Sequence, residues 1–502
     1  MATTPQPAKK SYFFGKGYVD LGNTIKGAWQ RNFNSIRKYK DHIADSFNMG
    51  DGKVAFIFKL ILNVLAMISV LVFGSIITLV ISAINVGVLL VFMAIVYIGF
   101  SVIWLVDRIY LMRKKIFTAC HECKEKSLIP TYICPKCGAK HTNLTPGVYG
   151  ILHRTCVGED PNSYCGEKLP TTFFNGRRNL DAICPHCSTP LMDRESVPIC
   201  IPVVGGRSVG KTAFITAFSK EFIDEVAPAK SWDIEFYNDK KEDIYKEIQK
   251  DYSLGSTRMT DRPSDINKAS SISFSFFVKG KEFSPERLVH IYDIAGEVFT
   301  DNNENEIQKQ YEYCQGIILM IDPFAIPSVR HRCEEQLSPE DIAGIGKADI
   351  NSIVDSFLNK LREVTGLSNQ KMSSVPLAVI IGKIDSAGLS KEIGDEAIKQ
   401  LMAQKPDTFK DYYDTQDYLC RRFLTDNGME SFINSVDIKF KDNRYFSCTA
   451  IGHSRDKGQY NPQGVLPPME WIFGKADSKM SSSWNDIKFS KKITKIVENA
   501  DA

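Results

Sequence analysis

The stretch Ile199-Cys-Ile-Pro-Val-Val-Gly-Gly-Arg-Ser-Val-Gly-Lys-Thr-Ala-Phe-Ile215 constrains this chain more than any other, because it sets a GxxxxGK[ST] loop between an apolar strand and an apolar-faced helix. Gly205 and Gly210 let the backbone curl so that the N–H groups of Gly206, Arg207, Ser208 and Val209 turn inward toward phosphate oxygens. The helix beginning near Lys211 adds the positive end of its dipole. Lys211 is expected to reach the β- and γ-phosphates of a nucleotide, and the Thr212 hydroxyl to bind magnesium. A Gly-rich turn can match this pattern by accident. Here Pro198 to Val204 reads as a buried strand and Ala213 to Phe222 as a helix, which is the context the motif requires.

At 502 residues the chain exceeds what one hydrophobic core usually serves, so two or more folded units are expected. Its 62 lysines and arginines against 59 aspartates and glutamates leave a net charge of only +3, which gives no global electrostatic argument for nucleic acid.

Residues 1 to 20 are polar and lack an apolar run suited to a cleaved signal peptide, and they read as disordered. From Leu21 to Phe47, apolar residues recur at roughly helical spacing with Lys26, Arg31, Arg37, Lys38 and Lys40 between them. This fits a basic amphipathic helix on an anionic membrane surface, and equally a helix packed on the protein's own body. Leu60 to Val106 then carries no charged residue. One span needs ~20 apolar residues, so the run suffices for two. Ser82, Asn85 and Gly87 offer a turn, which predicts a transmembrane hairpin over 57–81 and 86–107, within a segment 53–115. Lys53 and Lys59 before it, and Arg108, Arg113, Lys114 and Lys115 after it, place both flanks in the cytosol. The expectation is a two-span membrane protein, with the lipid bilayer as a partner and both termini cytoplasmic.

Eight of the thirteen cysteines fall between Cys120 and Cys187. Cys120-His-Glu-Cys123 and Cys134-Pro-Lys-Cys137 have the spacing of two knuckles that close one tetrahedral zinc site, predicting a ribbon over 116–142. Cys156, Cys165 and Cys184-Pro-His-Cys187 form a looser set over 143–192, in which His121, His141, His153 or His186 are alternative ligands. Redox-active CxxC pairs are the competing reading, but two CPxC pairs, each with a partner pair, favour structural metal. The basic tract Asn175-Gly-Arg-Arg178 is too short to argue nucleic-acid binding. Cys200, Cys314, Cys333, Cys420 and Cys448 read as small buried hydrophobes of a reducing compartment.

From 195 to 476 strand-like and helix-like stretches alternate, the pattern of a mostly parallel α/β sheet with helices on both faces. Strands are predicted at 198–204, 271–279, 287–293, 316–322, 376–382 and 444–449. Helices are predicted near 212–225, 303–314, 349–365, 391–403, 415–435 and 467–474. A polar tail over 477–502 reads as mobile, with a short helix near 485–498.

Two further motifs bear on the nucleotide. Arg287-Leu-Val-His-Ile-Tyr-Asp-Ile-Ala-Gly-Glu297 ends an apolar strand on Asp-x-x-Gly, so Asp293 is placed to hold magnesium through water and the Gly296 N–H to touch a γ-phosphate. In Leu377-Ala-Val-Ile-Ile-Gly-Lys-Ile-Asp385, Lys383 and Asp385 have the spacing of a guanine-reading loop. The strand ending Cys448-Thr449-Ala450 comes where a backbone N–H would meet guanine O6.

With these motifs, 156–475 resembles the translation-factor class of P-loop GTPases, and more narrowly the bacterial double-GTPase families, whose members often carry cysteine-rich ribbons and membrane segments. Cys184-Pro-His-Cys187, the phosphate loop, Asp293-Ile-Ala-Gly296 and Gly316-Ile-Ile-Leu-Met-Ile-Asp-Pro323 carry the likeness. It implies GTP as ligand with Mg2+ and Zn2+, slow switch-like hydrolysis, a place in a bacterial inner membrane, and pairing with a second GTPase or a second copy of the chain. Where the class has Asn or Thr at the head of the guanine loop this chain has Gly382, and where small GTPases position water with Gln it has Glu297. Thr260 is the first choice for a magnesium-binding switch threonine and Thr257 the second. Arg258 and Arg262 beside them read either as arginine fingers or as solvated loop residues. An ATP-driven machine and a nucleotide-binding membrane scaffold without hydrolysis are the rival readings.

Overall fold

The computed structural model describes residues 6–48, 52–159, 164–192, 195–206, 208–253, 272–294, 309–337, 342, 345, 350–365, 373–452, 460–480 and 484. The chain divides into two compact units, one built from Met1–Lys114 with Ile129–Ile183 and the other from Lys115–Leu128 with Cys184–Ala502.

In the first unit the amphipathic stretch forms helix α1, Lys16–Asn48. The expected disorder before it gives way to an extended segment. Lys9 N–H donates to Thr155 O at 3.0 Å, and Pro7 O accepts from Val157 N at 2.9 Å, so polar residues without helix or strand propensity are ordered by backbone bonds to a strand edge. The uncharged run is the central part of a single helix, α2, Lys53–Arg113, 61 residues with one π-helical turn at Val70–Gly74. It is the one helix among the described residues long and apolar enough to cross a membrane. The predicted hairpin with a turn at Ser82–Gly87 is therefore not formed. Ser82 Oγ donates to Thr78 O at 2.7 Å and Asn85 Nδ2 to Ile81 O at 2.9 Å, so both polar side chains are satisfied inside the helix instead of breaking it.

The antiparallel partner of α2 is α1. Phe47 meets Phe56 edge-on at 5.3 Å, Asn32 Nδ2 donates to Ser75 Oγ at 3.2 Å, Tyr18 OH reaches Met93 Sδ, and Phe14 packs on Tyr97 at 4.8 Å. The amphipathic stretch thus packs along α2 of its own unit. At its far end α2 is clamped to the cysteine-rich part of the same unit. Asp107, the first charge after the apolar run, is buried and accepts from Arg177 Nη1 at 3.0 Å and Phe173 N at 2.8 Å. Arg177 is thereby withdrawn from the basic tract noted above.

In the second unit seven strands form one sheet. They are β1 (Val197–Gly205), β2 (Asp233–Phe236), β3 (Ile272–Lys279), β4 (Arg287–Asp293), β5 (Ile317–Ile321), β6 (Leu377–Ile381) and β7 (Asn443–Ser447). Their order is β2-β3-β4-β1-β5-β6-β7. The pairs from β4 through β7 are parallel, and β2 and β3 are antiparallel additions at one edge. β2 was not predicted, since its Asp-Ile-Glu-Phe alternation is too short to stand out from a loop. The central strands β1, β5 and β6 are almost wholly apolar because both faces are covered. Ile199, Ile201, Val203, Ile291 and Ile380 join Phe214, Phe218, Met469 and Phe473 on one face. Cys200, Val204, Leu319 and Val379 join Phe357, Phe423 and Phe432 on the other. The predicted 415–435 helix is two, Tyr412–Asp426 and Glu430–Lys439, interrupted where Gly428 takes φ +81°.

The polar tail is anchored at its start. Trp484 is 0% exposed, packs at a tilt against Phe222 (5.2 Å) and Phe473 (5.4 Å), and its backbone N–H donates to Glu470 Oε1 at 2.9 Å. The predicted helix near 485–498 lies outside the described residues. Trp484→Ala should destabilise this unit by about 3–5 kcal/mol, a size set by deleting a large buried aromatic ring. Chemical denaturation of the purified variant, followed by the near-UV signal, measures it, and a shift below 1 kcal/mol would show the ring is dispensable.

Candidate functional site

Parallel strands end on one edge, and the candidate nucleotide residues sit there. β1 runs into the phosphate loop, and helix α3, Lys211–Glu221, starts directly behind it. Gly205 is required by space, since a Cβ there would lie 2.6 Å from Met320 O on β5, and Gly210 is required by its φ of +94°. Lys211 Nζ folds over the loop and donates to Gly205 O at 3.0 Å and Gly206 O at 2.8 Å. The loop is thus curled around its own ammonium group, ready for a polyanion.

Asp293 closes β4 opposite Val203 and is buried. Its Oδ2 accepts from Thr212 Oγ1 at 2.5 Å. Two hard oxygen donors brought together beside a phosphate loop fit a magnesium ion, with Thr212 as a direct ligand and Asp293 direct or through water. Magnesium would supply charge neutralisation for a nucleotide's phosphates. Gly296, Glu297, Thr257, Thr260, Arg258, Arg262 and Arg207 lie outside the described residues.

The two predicted base loops converge. Cys448 N–H donates to Ile381 O at 2.9 Å and Ile384 N–H to Cys448 O at 3.5 Å, so the chain after β6 and the chain after β7 are stitched together. Burial, and then the Asp385 carboxylate, hold the Cys448 thiol above its ordinary range. Thr449 is held by reciprocal backbone bonds with Gln463, each 2.9 Å, and its Oγ1 accepts from Gly452 N at 2.9 Å. Ala450 follows at the rim. Lys383 takes a left-handed backbone, φ +53°, and its ammonium donates to Asp322 Oδ2 at 2.6 Å. Asp322 had no role in the sequence reading. An apolar strand ending on a carboxylate, as β4 and the β6 loop also do, was the signal available for it.

The eight cysteines form two sets of four whose sulfurs all lie within 4.8 Å of one another, but the sets are nested rather than consecutive. Cys120 and Cys123 join Cys184 and Cys187 in the second unit, while Cys134 and Cys137 join Cys156 and Cys165 in the first. This corrects the division into ribbons at 116–142 and 143–192. The physical reason lies in the knuckles. In each, the first cysteine's N–H donates to the carbonyl two residues past the second cysteine: Cys120 to Glu125, Cys134 to Ala139, Cys156 to Glu167, Cys184 to Thr189. The residue after the second cysteine is left-handed in all four: Lys124, Gly138, Gly166 and Ser188. Cys156 and Cys165 thus form an ordinary knuckle with extra residues looped out of it. Spacing identifies knuckles but does not say which two share an ion.

Sulfur separations of 3.5 Å (Cys120 to Cys187), 3.6 Å (Cys123 to Cys184), 3.7 Å (Cys134 to Cys165) and 3.5 Å (Cys137 to Cys156) exclude disulfides. They match the edge of a tetrahedron around zinc, about 3.8 Å for a Zn–S bond of ~2.3 Å. No histidine is needed as a ligand; His141 Nε2 instead lies 3.3 Å from Cys156 Sγ. The outer set packs on Tyr313 and on Tyr292 of β4. Tyr313 OH donates to Lys124 O at 3.0 Å, and the Lys124 ammonium lies over the Tyr292 ring at 5.1 Å, one residue before Asp293.

Residues 199–416 match the model of the Double-GTPase 2 family, which supports a P-loop protein of the double-GTPase class over that stretch. No curated protein matches it. Among solved structures it is similar to the Arl6 BBS3 small GTPase of Trypanosoma brucei with bound GppNp, at 10% identity and a TM-score of 0.25 over 56% of this chain and 98% of that one. It is also similar to the S. cerevisiae Ski7 GTPase-like domain bound to GTP, at 11% and 0.27 over 56% of this chain and 51% of the other. The SRb-GTP/SRX complex of Chaetomium thermophilum gives 13% and 0.23 over 51% and 92%. At such values nothing about activity transfers from these proteins.

The nested sets predict a distinctive loss pattern. The intact reduced chain should carry two zinc ions. Cys120→Ser/Cys187→Ser should retain one and Cys120→Ser/Cys134→Ser none, measured by elemental analysis per mole of protein. One ion surviving in the second variant would restore the consecutive grouping.

Proposed function

We propose that this protein binds GTP with magnesium and hydrolyses it as a slow switch, in a chain anchored to a membrane by α2 and braced by two structural zinc sites. The observation that carries the reading is the convergence of the Gly382–Asp385 and Cys448–Ala450 loops on the strand edge that holds the phosphate loop. A carboxylate at Asp385 accepts from guanine N1–H and N2–H together, and adenine has no such donor pair. Lys211 and the loop N–H groups bind and orient the phosphates, and Thr212 and Asp293 hold the metal. In this reading Thr260 completes the metal shell, and the Gly296 N–H senses the γ-phosphate, so its loss on hydrolysis releases the segment that follows. In the same reading Glu297 orients or deprotonates the attacking water.

Arg108, Arg113, Lys114 and Lys115 at the end of α2 fit the cytosolic face of a bilayer, which puts the nucleotide site in the cytosol. A second copy of the chain, or another GTPase, is the proposed partner for the switch. The zinc sites hold the fold and do not enter turnover.

The direction of hydrogen bonding tests the base assignment. Asp385→Asn sets a donor against a donor, and an unsatisfied buried contact of that kind costs about 1–3 kcal/mol. GTP affinity should fall about tenfold, with a partial gain for xanthosine triphosphate, whose acceptor replaces the exocyclic amine. Unchanged GTP binding, or ATP competing equally with GTP for the wild-type protein, would sink the guanine reading.

A further inference from the structure

The base loop has three neighbours to hold it, and the structure uses two of them. On one side are the backbone bonds to Cys448 already described. On the other is Asp322, which closes β5 and is only 5% exposed. Its two oxygens are divided between two tasks: Oδ1 accepts from Phe324 N at 3.0 Å, turning the chain after the strand, and Oδ2 takes the Lys383 ammonium at 2.6 Å. Lys383 needs such a hold, because a left-handed backbone is disfavoured for any residue with a Cβ. The third neighbour is the phosphate loop. A Cβ on Gly382 would lie 3.5 Å from Val209 O, 3.7 Å from Ile321 O and 3.8 Å from Met320 Cε, ordinary contacts without a clash. That side has room for a side chain and none is present.

We infer that Asp322 is the positioning residue of the base loop: by gripping Lys383 from the end of β5 it sets the turn that aims the Asp385 carboxylate, in place of a side chain reaching from position 382 to the phosphate loop. The inference rests on the guanine reading and adds to it how the reading group is aimed. The grip is electrostatic and nearly buried, so removing its charge frees the Lys383 turn while the Phe324 contact can persist through an amide oxygen. The loss therefore falls on the base and spares the phosphates.

The test uses the full chain in detergent micelles, with GTP and inorganic tripolyphosphate as probes. Asp322→Asn should weaken GTP about tenfold, the scale of one charged hydrogen bond, and leave tripolyphosphate unchanged. Gly382→Asn, whose amide can reach Val209 O, should return most of the loss when combined with Asp322→Asn. Equal weakening of both probes, or absence of rescue in a double variant that melts like the wild type, overturns the inference. Asp385→Asn run alongside separates the layers. If it costs GTP affinity while Asp322→Asn does not, only the positioning role fails; if it costs nothing, the guanine reading falls and this inference falls with it.

Discussion

Parallel pairing of β1 with β4 on one side and β5 on the other is the constraint from which the site follows. Because β4 to β7 all run with β1, their C-terminal ends share one edge, and whatever chemistry follows each strand is delivered there without further scaffolding. Asp293 is the last residue of its strand, and the phosphate loop, Asp322, the Gly382–Asp385 turn and Cys448 each follow directly on theirs. Register is secure because both faces are buried. A slip by one residue would exchange the sets headed by Ile201 and Cys200 and mismatch the packing of each against its covering helices.

Much of this was legible in the chain. A strand, a glycine loop and a helix in that order identify a phosphate site because each residue type answers a local steric or hydrogen-bonding need. The strand ends at Asp293 and Asp385 were visible for the same reason. Features that depend on two distant stretches were not. Nothing local to Asp322 indicates that Lys383 will meet it, and nothing local to Asp107 indicates Arg177. The uncharged run was long enough for two spans, yet Ser82 and Asn85 satisfy themselves against the preceding turn and the helix continues. Composition bounded the length, while hydrogen-bond bookkeeping decided the break. Trp484 lies in a polar tail and is read as mobile by composition, although one large ring finding a cavity outweighs the serines around it.

The polar and charged contacts divide by burial. Asp107 with Arg177 and Asp322 with Lys383 are ion pairs in which at least the carboxylate is almost wholly removed from water, with hydrogen bonds to backbone N–H groups completing each carboxylate. Pairs of this kind contribute little net stability, but losing one partner strands the other, so they specify geometry. One fixes where the apolar helix ends, and the other fixes how a turn is aimed. Exposed pairs such as Lys399 with Asp395 add only tenths of a kcal/mol.

Nesting of the cysteine sets has a consequence for how the molecule assembles. Cys123 and Cys184 are 61 residues apart in sequence, and closing so long a loop in an unstructured chain is entropically costly. The inner set lies wholly within that loop. Once it has formed, pairing of Thr131 with Ile183 and Tyr132 with Ala182 brings the ends of the loop together, leaving roughly eight residues of free chain. The entropy of closure then falls by about 1.8 kcal/mol, which would correspond to roughly twentyfold in the apparent affinity of the outer set for a metal ion. The two sites are therefore unequal in time. In a chain that takes metal at both sets, the inner one would fill as soon as its own residues had been made and the outer one would follow, so the knuckle lying against Tyr292 would be the last to close on synthesis and the first to open when metal became scarce.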